Sequence, residues 1–182
     1  MSAPTDLHCL GGFVVAECYG LTRATADIDI LESRGTNLST IATMAGRNSA
    51  LHERHKVYID VVTVADVPDN YEDRLTPAPG ASFTNLRLQV FERHDLVLAK
   101  LTRNIDRDRA DVAAIAARPG LDIDVLRKRY AEELRYKLGR PEREDLTLAL
   151  WIEIIQGNQA PTRGLRSATS LRTSERLFPA IM

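Results

Sequence analysis

The sequence predicts an α/β fold of α+β character: a mixed sheet with flanking helices over residues 1–118, followed by a helical extension and tail over residues 119–182. Three observations carry this. Short apolar or alternating runs at residues 7–10, 28–31, 56–64 and 86–92 read as strands, with helix-periodic stretches between them. After Pro119-Gly120 only helical periodicity remains. A composition of 44% hydrophobic and 27% charged residues suits a packed core and argues against general disorder.

The 182 residues fit one domain, or one domain with a small helical extension. A formal net charge of −1 withholds support from indiscriminate nucleic-acid binding. No apolar run approaches the ~20 residues of a transmembrane helix, and residues 1–6 lack the charged, apolar and cleavage regions of a signal peptide. A cytoplasmic location without membrane contact is expected. Cys9 and Cys18 have no metal-ligand spacing and read as reduced, buried, structural residues.

Leu7, Cys9 and Leu10 predict a strand ending at Gly11-Gly12, and residues 13–19 predict two turns of helix. Glycines at such a junction let backbone N–H groups approach phosphate oxygens, and a helix N-terminus adds favourable partial charge. The pair alone is a weak signal, since turns use glycine freely. Ile28, Ile30 and Leu31 make the next segment a strand, in which Asp27 and Asp29 share a face. Adjacent carboxylates repel unless a cation lies between them, and hard oxygen ligands suit Mg²⁺ or Mn²⁺. The competing reading is a strand with a wet face; the Gly-Gly pair upstream weighs against it.

Residues 37–51 fit one amphipathic helix, with Leu38, Ile41, Ala42, Ala45 and Leu51 on or near the face that covers the sheet. His52 and His55, beside Arg54 and Lys56, read as a solvated loop in preference to a metal pair. Residues 56–64 form the clearest strand. Asp60 interrupts it and either faces water or joins a charged site. Residues 68–79 have turn chemistry, with Tyr71 and Arg74 the candidates there for nucleotide contact and local packing the alternative. Residues 86–92 alternate as a strand, and Asp95 reads as the N-cap of the helix that follows.

Lys100 lies one turn beyond Leu96, where it either snorkels or serves a site. Asp108 and Asp111 can pair with Arg107, Lys100 or a substrate, or are acidic residues favoured by a helix N-terminus. Asp122 or Asp124 caps a helix running to about residue 138, with Leu126, Tyr130, Leu134 and Leu138 as its stripe. A helix over 142–156 is apolar around much of its circumference and is expected between layers or at an interface between copies of the chain. In the Arg-, Ser- and Thr-rich stretch 157–182, Arg163, Arg166, Arg172 and Arg176 read as a solvated tail in preference to a phosphate-backbone contact.

Gly11-Gly12, a spacer ending in Tyr19-Gly20, and Arg23-x-Thr25-x-Asp27-Ile28-Asp29 resemble the nucleotidyltransferases of the DNA polymerase β superfamily, in particular the AbiEii-like, toxin-type branch. Many members have Gly-Ser where this chain has Gly11-Gly12, so the backbone contact is kept and a serine hydroxyl is missing. The resemblance implies a polymerase-β-like nucleotidyltransferase core in which Asp27, Asp29 and Asp60 hold Mg²⁺ or Mn²⁺ and Asp60 helps to deprotonate an acceptor hydroxyl. It implies that Gly11 and Gly12 cradle phosphate oxygens and that Arg23 and Lys100 offset triphosphate charge. Thr25 would orient a carboxylate or phosphate, and Asp108 would complete the nucleotide site with Asp111 as its support. The implied reaction moves a nucleoside monophosphate from an NTP, ATP among them, to an acceptor hydroxyl. tRNA or protein is the candidate acceptor, and an antitoxin protein a candidate partner. The alternative is a nucleotide-binding partner or regulatory module that keeps the fold without transfer; intact Asp27, Asp29, Asp60 and Lys100 weigh against it.

Overall fold

The computed structural model describes residues 4–20 and 24–159. Five strands form one mixed sheet, with the order β3-β2-β1-β5-β4. β1 (Thr5–Leu10) lies at its centre, antiparallel to β2 (Asp27–Arg34) on one side and parallel to β5 (Leu86–Val90) on the other. β3 (Tyr58–Val61) runs parallel to β2 at one edge, and the two-residue β4 (Thr76–Pro77) runs antiparallel to β5 at the other. The last four residues of β1 are buried, as a central strand covered on both faces requires.

Helix α1 (Gly11–Tyr19) follows β1 without a loop and buries Val14 and Val15 completely. Gly20 ends it in the left-handed conformation, its N–H returning to the Ala16 carbonyl at 3.2 Å. The single helix expected over 37–51 is two: α2 (Leu38–Ala45), capped by the Asn37 side chain, and α3 (Ala50–His55), capped by Ser49. Gly46 causes the break. A Cβ there would lie 2.2 Å from the Ala42 carbonyl oxygen, and Asn48 then turns the chain at φ +67°. His52 and His55 therefore belong to α3 and not to a loop.

The residues around 71–95 also depart from expectation. Tyr71, in a 3₁₀ turn (Tyr71–Arg74), is buried and stacks on Phe91 at 4.6 Å. Its hydroxyl meets Glu32 and His8, each at 3.2 Å. The side-chain ligand atoms of His8, Glu32 and Glu72 also lie close together, but the Tyr71 hydroxyl bridges His8 and Glu32, and Glu72 is paired with Arg34. Arg74 pairs with Asp95 at 2.7 Å and Glu133 at 2.8 Å. Neither Tyr71 nor Arg74 is placed for a nucleotide; both hold the scaffold. Glu92, not Asp95, caps α4 (Arg93–Leu98), accepting from the His94 N–H at 3.0 Å. Asp95 is fully buried between Arg74 and Arg129.

After α5 (Asp106–Ala116), Asp122 caps α6 (Ile123–Arg129), and the helical path continues through a π turn (Tyr130–Leu134) and a 3₁₀ turn (Arg135–Lys137). Leu126, Tyr130, Leu134 and Leu138 are all buried, as their spacing predicted. In α7 (Pro141–Gln159), Leu148, Trp151, Ile152 and Ile155 are buried, whereas Leu146 and Leu150 are 70% and 59% exposed. One hydrophobic cluster runs from Leu7 in the sheet to Ile155 in α7. No helix among the described residues is long and apolar enough to cross a membrane.

This one-sided burial of α7 is directly testable by urea unfolding. Trp151, whose Nε1 donates to Asn104 Oδ1 at 3.2 Å, is 1% exposed, and Trp151→Ala is expected to cost about 3–5 kcal/mol. Leu146→Ala, on the exposed face, is expected to stay within about 0.5 kcal/mol of the wild type.

Candidate active site

The site begins with strand register. Asp27 and Asp29 alternate with Ile28 in β2 and share a face, and the β2–β3 pairing sets Asp60 directly opposite Asp29. Carboxylate oxygens of Asp27, Asp29 and Asp60 all lie within 4.8 Å of one another. On the other side of β2, Asp29 pairs with Leu10, the residue before Gly11. Gly11 has φ +76°, and a Cβ on it would fall 1.7 Å from Asp29 Oδ2. Only glycine lets this carboxylate rest over the start of α1.

Asp27 and Asp29 are half-buried, and Asp60 is exposed. The Thr25 hydroxyl donates to Asp27 Oδ1 and lies 3.3 Å from the Asp27 carbonyl oxygen. Burial, followed by the charges of Asp27 and Asp60, pushes the Asp29 carboxyl up to about 6, against the opposing pull of Lys100 and Arg103. Three hard oxygen donors on neighbouring strands, with their like charge only partly offset by Lys100 and Arg103, fit a Mg²⁺- or Mn²⁺-type cation.

A second layer lies below. Lys100, in the turn after α4, is 4% exposed. Its Nζ donates to Asp111 Oδ2 at 2.7 Å and lies 3.6 Å from Asp108 Oδ1. Arg103 grips Asp108 with two hydrogen bonds, Nε to Oδ2 at 2.8 Å and Nη2 to Oδ1 at 2.6 Å. The Ile105 N–H adds a third at 3.2 Å, which caps α5. Burial works to raise the Asp108 carboxyl, but the Arg103 hydrogen bonds and the charges of Lys100 and Arg103 hold it below the usual carboxylate range. A cavity of about 120 Å³ opens above this layer, lined by Gly11, Asp29, Val62, Leu96, Lys100 and Arg103.

The fold thus brings Gly11, Thr25, Asp27, Asp29, Asp60 and Lys100 to one place. Gly12 is the second residue of α1. Arg23, and the arginines of the tail, lie outside the described residues. Asp108 does not open onto the cavity: it is fully buried with its carboxylate occupied, so it can reach a nucleotide only through Arg103 or Lys100. The sequence reading passed over Arg103 and Tyr58. Arg103 was signalled by its place three residues after Lys100 and five before Asp108. Tyr58 pairs with Asp27 across β2–β3 and carries the Arg47 guanidinium 4.5 Å above its ring, a relation that no spacing announces.

A mixed sheet that assembles three carboxylates beside a glycine-started helix defines an α/β domain of nucleotidyltransferase type. A family model described as nucleotidyltransferase of unknown function (DUF6036) matches residues 6–157, and the chain belongs to that family. No curated protein and no solved structure matches it.

The raised carboxyl of Asp29 has a pH signature. Between about pH 4 and pH 6 the folded chain holds a proton at Asp29 that the unfolded chain has released, so stability falls as pH rises through that window. Urea titrations in metal-free buffer are expected to show this fall in the wild type. Asp29→Asn should lose it and be the more stable of the two at pH 7.

Proposed function

We propose that the protein transfers a nucleoside monophosphate from an NTP to an acceptor hydroxyl. The observation that carries the reading is the convergence of Asp27, Asp29 and Asp60 within 4.8 Å over Gly11. The acceptor oxygen attacks the α-phosphorus, the bond from that phosphorus to the β-bridging oxygen breaks, and pyrophosphate leaves. Asp60 takes the acceptor's proton in this reading, which its exposure to solvent supports. Asp27, oriented by Thr25, and Asp29, seated over Gly11, form with Asp60 the ligand set for a divalent cation. When bound, such a cation neutralises developing charge and sharpens the acceptor nucleophile. Backbone N–H groups at Gly11 and Gly12 supply phosphate contacts, and Lys100 and Arg103 place positive charge beneath the nucleotide.

The AbiEii-like resemblance supports a toxin of a toxin–antitoxin pair as the finer reading, with tRNA or protein as acceptor. Exposed Arg47, Arg54 and Lys56 lie before, within and just after α3, in the stretch of chain that leads into the edge strand carrying Asp60. They favour a polyanionic acceptor, and so tRNA over protein.

The test is incubation with each α-³²P-labelled NTP, Mg²⁺ or Mn²⁺, and total tRNA or cell lysate, beside the Asp27→Ala/Asp29→Ala variant. Label should pass to an acceptor with the wild type and stay at background with the variant. Metal-dependent NTP binding without transfer to any acceptor would favour a binding module, and equal labelling by both proteins would sink the site.

A further inference from the structure

Lys100 and Arg103 line the same cavity as Gly11 and Asp29, but they are held in opposite ways. Lys100 is buried, and its ammonium lies against two carboxylates, Asp111 at 2.7 Å and Asp108 at 3.6 Å, both fully buried. Moving it toward a ligand would strip buried charges of a countercharge, which is strongly unfavourable. Arg103 keeps 58% of its side-chain surface exposed. Asp108 takes its Nε–H and one Nη2–H. A guanidinium has five N–H donors, so three remain for a ligand, on a plane already fixed by the two-point grip of Asp108.

Position fits the same division. The three site carboxylates repel an anion, so a polyphosphate needs positive charge on the cavity side of Asp29, where Lys100 and Arg103 lie. An exposed guanidinium held in one plane also matches phosphate oxygens in two-point geometry, which a lysine cannot do.

Building on the nucleotidyltransferase reading, we propose that Arg103 is the residue that receives the nucleotide's polyphosphate in this cavity, that Asp108 is its positioning residue, and that Lys100 is a fixed internal countercharge. The guanidinium binds without moving, and Asp108 acts only through it.

The test compares the wild type, Arg103→Gln and Arg103→Lys by calorimetry in Mg²⁺ with three probes: an NTP carrying a methylene at the α–β bridge, inorganic tripolyphosphate, and a nucleoside monophosphate by competition. Arg103→Gln keeps an amide N–H for Asp108 while removing the charge, and a melting curve checks its fold. It is expected to weaken the NTP analogue and tripolyphosphate by roughly ten- to a hundredfold and leave the monophosphate unchanged. Arg103→Lys should recover part of the loss. Wild-type-like binding of tripolyphosphate by Arg103→Gln, or equal weakening of all three probes, overturns the assignment. If NTP binding is lost in Asp27→Ala/Asp29→Ala but kept in Arg103→Gln, the nucleotidyltransferase reading stands and the Arg103 role fails. A wild type that binds no nucleotide with metal removes both.

Discussion

Like-charge repulsion among Asp27, Asp29 and Asp60 is the condition to which the surrounding structure answers. Three carboxylates within 4.8 Å destabilise the fold unless a cation or proton intervenes; burial, reinforced by the charges of Asp27 and Asp60, raises the Asp29 carboxyl to about 6. Lys100 and Arg103 offset the repulsion only in part, because Lys100 faces Asp111 and Arg103 grips Asp108. A scaffold selected for stability alone would let one of them swing onto the cluster. Holding them back leaves net negative charge at the cluster, which is what a divalent-cation site requires, a common form of conflict between stability and function.

The rest of the chain keeps that cluster in place. β2 carries two of the carboxylates and lies between β3, which sets Asp60 opposite Asp29, and β1, which ends at Gly11. Gly11 removes the one atom that would push Asp29 away. In α4, Asp95 binds Arg74 and Arg129 and so ties the 71–74 turn, α4 and α6 together. Buried ion pairs of this kind add little net stability, since desolvation offsets much of their attraction. Their use here is to fix one arrangement of helices over the sheet. The continuous cluster from Leu7 to Ile155 supplies the cohesion.

Where sequence reading succeeded, the determinant was local. Strand alternation put Asp27 and Asp29 on one face, the Gly-Gly junction marked the passage from β1 to α1, and the stripe from Leu126 to Leu138 emerged buried as its period required. Where it failed, the determinant was a partner distant in sequence. Asp95 has the residue type and position of an N-cap, but Arg74 and Arg129, 21 and 34 residues away, draw it into the interior, and Glu92 takes the cap. Tyr71 and Arg74 read as candidates for nucleotide contact or for local packing, and nothing nearby in sequence shows Phe91, His8 or Glu133, the partners that decide for packing. The division of 37–51 into two helices was half legible: Gly46 and Ser49 are ordinary stop and start residues, but an apolar period that continues across them concealed the break.

The sequence by itself determined the chemistry on offer: an α/β core, a carboxylate pair two residues apart, a third carboxylate in a separate strand, and a lysine and two aspartates further on. These follow from side-chain type and from the periods of strand and helix, which need no knowledge of the rest of the chain. Only the tertiary structure decided which of these groups meet solvent and which meet each other. Asp60 became the exposed member of a three-carboxylate cluster through the β2–β3 register, Asp108 became a buried anchor, and Arg103 was left facing the cavity. Register and burial depend on contacts between segments far apart in the chain, and the free energy of a charged group depends on its burial and its partners more than on its neighbours in sequence.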